Sequence, residues 1–166
     1  MMNRCLPLAL GLVLLLSGCE QKELPPAMSE AEEAAARHEK YFGAAAGAKD
    51  IAWRASGLGI RILAPGAGAA PGLADTVRVH YVGRLKDGTV FDSSRARGAP
   101  ADFAVSRVIA GWAAAMPSLR PGGKAEFFIP PSLGYGNAQS GKIPPNSGLI
   151  FEVELIAVNP MAPAER

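Results

Sequence analysis

The chain has 166 residues, 49% of them apolar and 19% charged, with a formal charge of +2 at pH 7 and acids and bases interspersed. That length holds one ordinary domain plus a tail, and the balanced charge excludes both the basic stripe of a nucleic-acid binder and an acidic tail. The 19 glycines and 14 prolines cluster at turn-like places without a repeat, which predicts many short strands and tight turns.

Residues 1–18 have the three-part pattern of a secretory signal peptide: Arg4, an apolar core from Leu6 to Leu16, then small residues. The core is far shorter than the ~20 residues a membrane-spanning helix needs. Leu16-Ser17-Gly18-Cys19 resembles the bacterial lipobox. That implies a mature N-terminus at Cys19, anchored to membrane through two or more acyl chains; the alternative is an ordinary signal with a chance cysteine. Residues 19–28 follow as the lipidated Cys and a polar, proline-containing tether. With Cys5 removed and Cys19 acylated no thiol remains, and His38 and His80 alone are too few for a His/Cys metal site.

Residues 29–56 are predicted as a short helical spacer. Ser29 followed by Glu32 is a capping-box pattern, Gly43 and Gly47 weaken the far end, and the mostly alanine face predicts a solvated helix over a dimerising one. From residue 57 the periodicity changes to two. Strands are predicted at 57–63, 76–82, 89–92, 102–105, 124–129 and 149–158. Lys86-Asp87-Gly88-Thr89 carries a hairpin signal and Pro121-Gly122-Gly123-Lys124 a type II turn signal. One short helix fits at about 108–116, with Val108, Ile109, Trp112 and Met116 on one face and Pro117 ending it. The expected architecture is α+β, an antiparallel sheet packed on one short helix over residues 57–160, with a C-terminal tail at 161–166.

Alternation places Val77, Val79 and Tyr81 on one face of their strand, and Phe151, Val153 and Leu155 inward with Glu152 and Glu154 outward. Glu126 gives no sign of converging on Asp92, so the paired carboxylates of a hydrolase are missing. The glycine-rich stretch at 66–72 lacks the lysine and following helix of a phosphate loop, and there is no nucleophile elbow. What remains is aromatic: Tyr81, Phe91, Trp112, Tyr135 and Phe151, with Phe103 assigned to the core. The segment 130–148 is too long for an ordinary connection, as covers over sites are. An aromatic pocket with one carboxylate suits an apolar substrate bound without acid–base chemistry.

The stretches "VHYVGRLKDGTVFDSSRARGAP", "VIAGW", "PGGKAEFFIPPSLGYG" and "IPPNSGLIFEVELI" resemble FKBP-type peptidyl-prolyl cis-trans isomerases, in the family's order and near its spacing, over residues 57–158. The resemblance implies a twisted antiparallel sheet wrapped around one short helix and a pocket between them. It implies Trp112 as the pocket floor, Tyr81, Phe91 and Phe151 as its wall, and Val108 and Ile109 as its rim, with Ile143 a further substrate contact. The Ile109 N–H and the Tyr135 hydroxyl would donate to peptide carbonyls, and Asp92, positioned by Arg97, would set the electrostatics of the edge. An Asx-type turn with Ser93 or Ser94 is the structural alternative for Asp92. Ala101 stands where many members have phenylalanine, Lys142 where some have an aliphatic residue, and Gln139 near a loop histidine; these departures bear on substrate preference and macrolide affinity. The implied activity is rotation of Xaa-Pro bonds, with no cofactor, proline-containing polypeptides as substrates, macrolides as inhibitors and a monomeric state. The alternative is a non-catalytic peptide-binding or chaperone module on the same fold. Glu20, where an aspartate after the lipidated cysteine favours the inner membrane, points to the outer membrane of a cell envelope.

Overall fold

The computed structural model describes residues 28–160. The expected signal peptide, Cys19, the tether up to residue 27 and the tail 161–166 lie outside the described residues. Two long strands carry the sheet, β3 (Thr76–Arg84) and β7 (Leu149–Val158), numbered with their neighbours β1 (Ala52–Trp53), β2 (Gly59–Ala64), β4 (Val90–Ser93), β5 (Ala101–Ala104) and β6 (Lys124–Ile129). All pairs are antiparallel, in the order β1-β2-β6-β7-β3-β4, while β5 shares an edge of β3 with β4. In β3 every second residue, Val77, Val79, Tyr81 and Gly83, is buried, as the period of two requires. Phe151, Val153 and Leu155 of β7 face the same core.

The predicted strands are all present, those at 124–129 and 149–158 with the expected bounds and the others shifted by one or two residues at an end, and β1 is an addition. The hairpin after β3 uses a three-residue loop: Leu85 N–H donates to Thr89 O at 2.9 Å, Gly88 N–H to Leu85 O at 3.0 Å, and Gly88 takes φ +87°. That is a type I turn followed by a left-handed residue, in place of the tighter two-residue loop. The turn before β6 falls one residue early, closed by Gly123 N–H to Arg120 O at 2.8 Å.

The helix of the core, α2, covers Ala110–Ala115, shorter than expected. Val108 and Ile109 are extended, with ψ 170° and 149°, and a 3-10 turn at Met116–Ser118 accommodates Pro117. Trp112, Ala115 and Met116 turn into the sheet. At Gly111 a Cβ would meet Ile129 Cγ2 at 2.4 Å, so only glycine lets α2 approach β6 this closely.

The N-terminal helix α1 (Glu30–Phe42; its range precedes that of α2) has the predicted capping box, with Glu32 N–H donating to Ser29 Oγ at 3.3 Å and Ser29 N–H to Glu32 Oε2 at 2.8 Å. The expectation of a solvated spacer is corrected at its last turn. Phe42 is fully buried and meets Phe128 edge-on at 5.6 Å, joined by Ile51 and Ile150. The cause lies in β6, where Phe127 faces α2 and Phe128 faces the other way; both faces of the sheet are apolar there, and the second needs a cover. Further along that outer face Glu126 accepts from Arg61 at 3.2 Å and Arg84 at 2.5 Å, far removed in role from Asp92.

Candidate functional site

The site begins with an irregularity in "VFDSSRARG". Arg84 pairs with Val90 and Gly83 with Asp92, leaving Phe91 as an extra residue opposite the β3 strand. Such a bulge re-aims side chains. Asp92, paired with inward-facing Gly83, points to the Tyr81 side, and Phe91 reaches over Gly83 as well. A Cβ on Gly83 would meet Phe91 Cζ at 2.6 Å and Phe151 Cε1 at 2.8 Å, so the missing side chain is the space in which the two rings sit. Phe91 packs edge-on against Phe151 at 5.4 Å.

After Asp92 the chain is clamped to β3. The fully buried Ser94 Oγ accepts the Tyr81 N–H at 2.8 Å, and Ser94 N–H donates to Tyr81 O at 3.0 Å. Ser93 Oγ accepts from Ala96 N–H at 3.1 Å, so the turn is capped by Ser93, and Asp92 is left available for Tyr81 and Arg97. The turn returns Arg97 to Asp92: its Nη1 donates to Asp92 Oδ1, its Nη2 to the Tyr81 hydroxyl at 2.8 Å, and its guanidinium lies 5.6 Å from the Tyr81 ring centre. The Tyr81 hydroxyl donates to Asp92 Oδ2 at 2.5 Å.

Burial acts most strongly on Asp92 and raises its pKa, but the Tyr81 hydroxyl and Arg97 together outweigh it and hold the carboxyl below its ordinary value. Tyr81 is pushed up, first by burial and then by donating to the Asp92 carboxylate, with Arg97 opposing. All three groups keep their usual charge states at neutral pH. The carboxylate that looked unpartnered in the sequence is one corner of a closed hydrogen-bonded triangle.

Beside the triangle lies a cleft of about 370 Å³ lined by Tyr81, Phe103, Trp112, Tyr135, Phe151 and the Arg107–Ile109 segment, with Asp92 at its edge. Trp112 is 4% exposed and meets the edges of Phe151, Tyr81 and Phe103 at 5.3, 5.5 and 5.7 Å, all close to perpendicular. Edge-to-face contact puts positive ring edges on negative faces and fixes the ring directions. Ile109 occupies the N-cap position of α2, and its N–H has no acceptor among the described residues. The half-exposed Tyr135 comes from the loop 130–148, which is ordered by its own bonds: Gly136 N–H to Pro131 O at 2.9 Å, Asn146 N–H to Gly136 O at 2.7 Å and the Ser140–Ile143 bridge.

Of the residues singled out in the sequence, Tyr81, Asp92, Val108, Ile109, Trp112, Tyr135 and Phe151 line the cleft. Phe91 and Arg97 stand one layer behind, on Phe151 and Tyr81. Ile143 is off the lining; it is buried in the core and anchors the loop. Phe103, assigned to the core, is corrected: it is only partly buried and forms a cleft wall, because β5 sits at an edge of β3. Arg107 was missed; its position directly before Val108-Ile109 was the available signal. Among the described residues no cluster of three or more His, Cys, Asp or Glu could hold a metal.

An apolar aromatic cleft with a pre-paired carboxylate can bind a rigid apolar ring, and its edge offers donors for carbonyl groups. It presents no free acid or base. Comparison with known proteins gives the same direction. A model of "FKBP-type peptidyl-prolyl cis-trans isomerase" matches residues 68–156. The chain is 48% identical over 125 residues to the FKBP-type 22 kDa peptidyl-prolyl cis-trans isomerase of Escherichia coli, covering 75% of this chain and 61% of that one. It is 43% identical over 134 residues to the outer membrane protein MIP of Legionella longbeachae, covering 80% and 58%. The crystal structure of a peptidyl-prolyl cis-trans isomerase from Pseudomonas syringae superimposes with a TM-score of 0.67 at 34% identity, covering 80% of this chain and 98% of that one. The chain spans about half to three-fifths of the length of the first curated relatives it matches. A sheet, a helix and a cleft arranged in this way, at these identities over this much of the chain, place it in the FKBP-type peptidyl-prolyl cis-trans isomerase family.

Proposed function

We propose that the protein is a prolyl isomerase that binds the proline of an Xaa-Pro segment over Trp112 and lets the preceding amide rotate. Rotation faces a barrier of ~18–20 kcal/mol because resonance keeps the amide planar. Neither a proton transfer nor a covalent bond is needed. The twisted amide has lost resonance and part of its dipole, so an apolar cleft favours it over both planar isomers, which is catalysis by differential binding. A gain of ~4 kcal/mol in the twisted state already accelerates exchange about a thousandfold. The Ile109 N–H and the Tyr135 hydroxyl hold the flanking carbonyls while the bond turns.

The observation that carries this reading is the closed triangle of Tyr81, Asp92 and Arg97 at the cleft edge. The Tyr81 hydroxyl proton and one N–H from each Arg97 amino group are held in it, so Asp92 serves as a fixed field and an anchor for Tyr81, with no part as an acid or base. Asp92→Leu lowers turnover strongly and lowers the thermal midpoint by only a few degrees, the scale of one half-exposed ion pair. Collapse of stability with normal specific activity would make its role structural.

The Cys19 pattern, the signal-like segment and the resemblance to an outer membrane protein support an envelope location with lipid on Cys19, where the domain meets proline-containing clients. Mass spectrometry of the membrane-extracted protein tests the acylation. The test of activity is the cis-to-trans rate of a short Xaa-Pro peptide with the full chain, beside Trp112→Ala. Acceleration proportional to protein and lost in the variant supports the isomerase. A folded protein that accelerates no peptide, whatever residue precedes proline, leaves a binding module on this fold.

A further inference from the structure

A larger groove than the proline cleft lies behind the loop that carries Tyr135. It has a volume of about 700 Å³ and runs between α1, the β1–β2 hairpin and the 130–137 segment, lined among others by Arg37, His38, Tyr41, Trp53, Arg54 and Asn137. Trp53 and His38 stack face to face at 3.6 Å with 10° between their planes. No aspartate or glutamate lines it. Five arginines outside the groove, Arg61, Arg78, Arg84, Arg95 and Arg97, each pair with a carboxylate, whereas Arg120 bonds the Gly68 carbonyl and Arg107 stands at the rim of the proline cleft. Arg54 is instead held by neutral acceptors, Ala114 O at 2.9 Å and Ser118 Oγ at 3.3 Å, and Arg37 bonds only the Glu33 carbonyl at 3.4 Å. Two exposed guanidinium charges therefore stand in an aromatic groove without a counter-charge among the described residues.

The groove and the cleft are neighbours across one loop. Tyr135 faces the cleft, while Gly136 and Asn137 face the groove. Arg54 grips the last turn of α2 through Ala114, and the residues at the start of α2 line the cleft. A helix of six residues is about 9 Å long, a length that about three extended residues span, and a five-residue spacer leaves slack to pass the loop.

We infer that this groove is a second polypeptide-binding site, for an acidic, extended stretch of the same client whose proline occupies the cleft. Binding of that stretch raises the effective concentration of proline at the cleft without altering the rotation step. The inference rests on the isomerase reading for its purpose, but its occupancy can be measured without turnover.

Two peptides with the same Xaa-Pro core are compared with the full chain at low salt, one extended through a five-residue Gly/Ser spacer by four glutamates, the other by four serines. The glutamate peptide shows a KM about fivefold lower at equal kcat, the scale of a few screened charge pairs. The gain vanishes at high salt and in Arg37→Glu, and is reduced in Arg37→Ala, while the serine peptide behaves alike in all three proteins. A labelled glutamate segment without proline, followed by fluorescence anisotropy, binds the wild-type chain and not Arg37→Glu. Equal KM for the two peptides, or a gain that survives Arg37→Glu, overturns the proposal. So does a gain seen only after deletion of residues 20–27, which would assign the groove to the chain's own tether. Absence of turnover with intact anisotropy binding rejects the isomerase and keeps the groove.

Discussion

Gly83 touches no substrate in the proposed scheme, yet Gly83→Ala bears directly on the site. The added carbon falls 2.6 Å from Phe91 Cε2 and Cζ and 2.8 Å from Phe151 Cε1, where carbon atoms rest at about 3.5–4.0 Å. Both rings must retreat by about 1 Å. Gly83 itself cannot yield, because β3 is paired there with β4 on one side and β7 on the other. Phe151 is wedged between Phe91 at 5.4 Å and Trp112 at 5.3 Å, so its retreat moves the cleft wall. Overpacking of this kind costs about 1–3 kcal/mol, offset by about 0.5–1 kcal/mol from the stiffer unfolded chain. The net loss of up to about 2 kcal/mol, the upper part of the range because two rings are displaced, lowers the melting temperature by about 3–10 °C. Peptide isomerisation, assayed well below the melting point, falls about tenfold in kcat/KM. Adding Phe91→Leu removes the nearest ring atoms and recovers part of the stability, a positive coupling in the double-mutant cycle. A Gly83→Ala protein with wild-type melting and turnover, or one indifferent to residue 91, would refute the close-approach argument.

The folded Asp92 carboxyl lies below its ordinary value, so the stability it contributes is present in full above about pH 4 and fades only as pH falls through the folded value. Tyr81 lies above its own, so kcat/KM is level from about pH 5 to pH 9, and a limb inside that window that Asp92→Asn abolishes would restore acid–base catalysis. Phe42→Ala empties the contact under α1 and destabilises the protein by about 3–5 kcal/mol, with red-shifted emission from Trp53, 5.7 Å from Phe42; unchanged stability would return α1 to a solvated spacer. Arg107, exposed at the cleft rim, favours an acidic residue beside proline: Arg107→Glu shifts the ratio of Glu-Pro to Lys-Pro peptide rates severalfold toward lysine, the size of a screened charge pair, and an unmoved ratio removes it from recognition.

Sequence patterns revealed those features that repeat along the chain. Burial alternates strictly along "TVRVHYV" and in β7 from Phe151 to Leu155, where the sheet has a core on one side; at Leu149-Ile150-Phe151 both faces are covered. The capping box of α1 was legible for a similar reason: four residues suffice to define it. Docking of α1 was hidden, since its one fully buried side chain, Phe42, with Tyr41 and His38 beside it, stands on an otherwise alanine face. The other half of that contact was visible in "EFFI", where adjacent phenylalanines require cover on both faces of β6. Phe103 was misplaced because residue parity says which side of a strand is apolar, and says nothing of whether that strand lies at an edge beside a cleft.

The carboxylate of Asp92 shows where pattern ends and geometry begins. Strict alternation would send Phe91 and Asp92 to opposite faces of the sheet, and the pair would then read as one core residue and one solvated charge. A single unpaired residue in β4 brings both to the same side, and the Ser94 clamp returns Arg97 to meet them. Without the bulge Phe91 could not fill the space left by Gly83, nor could the carboxylate reach the Tyr81 hydroxyl. The register shift by one residue therefore decides whether Asp92 is a loose surface charge or part of a cleft edge in which both carboxylate oxygens are held. A catalyst that works by favouring a twisted amide needs the second, because a mobile charge would be solvated and would bring water into the apolar cleft.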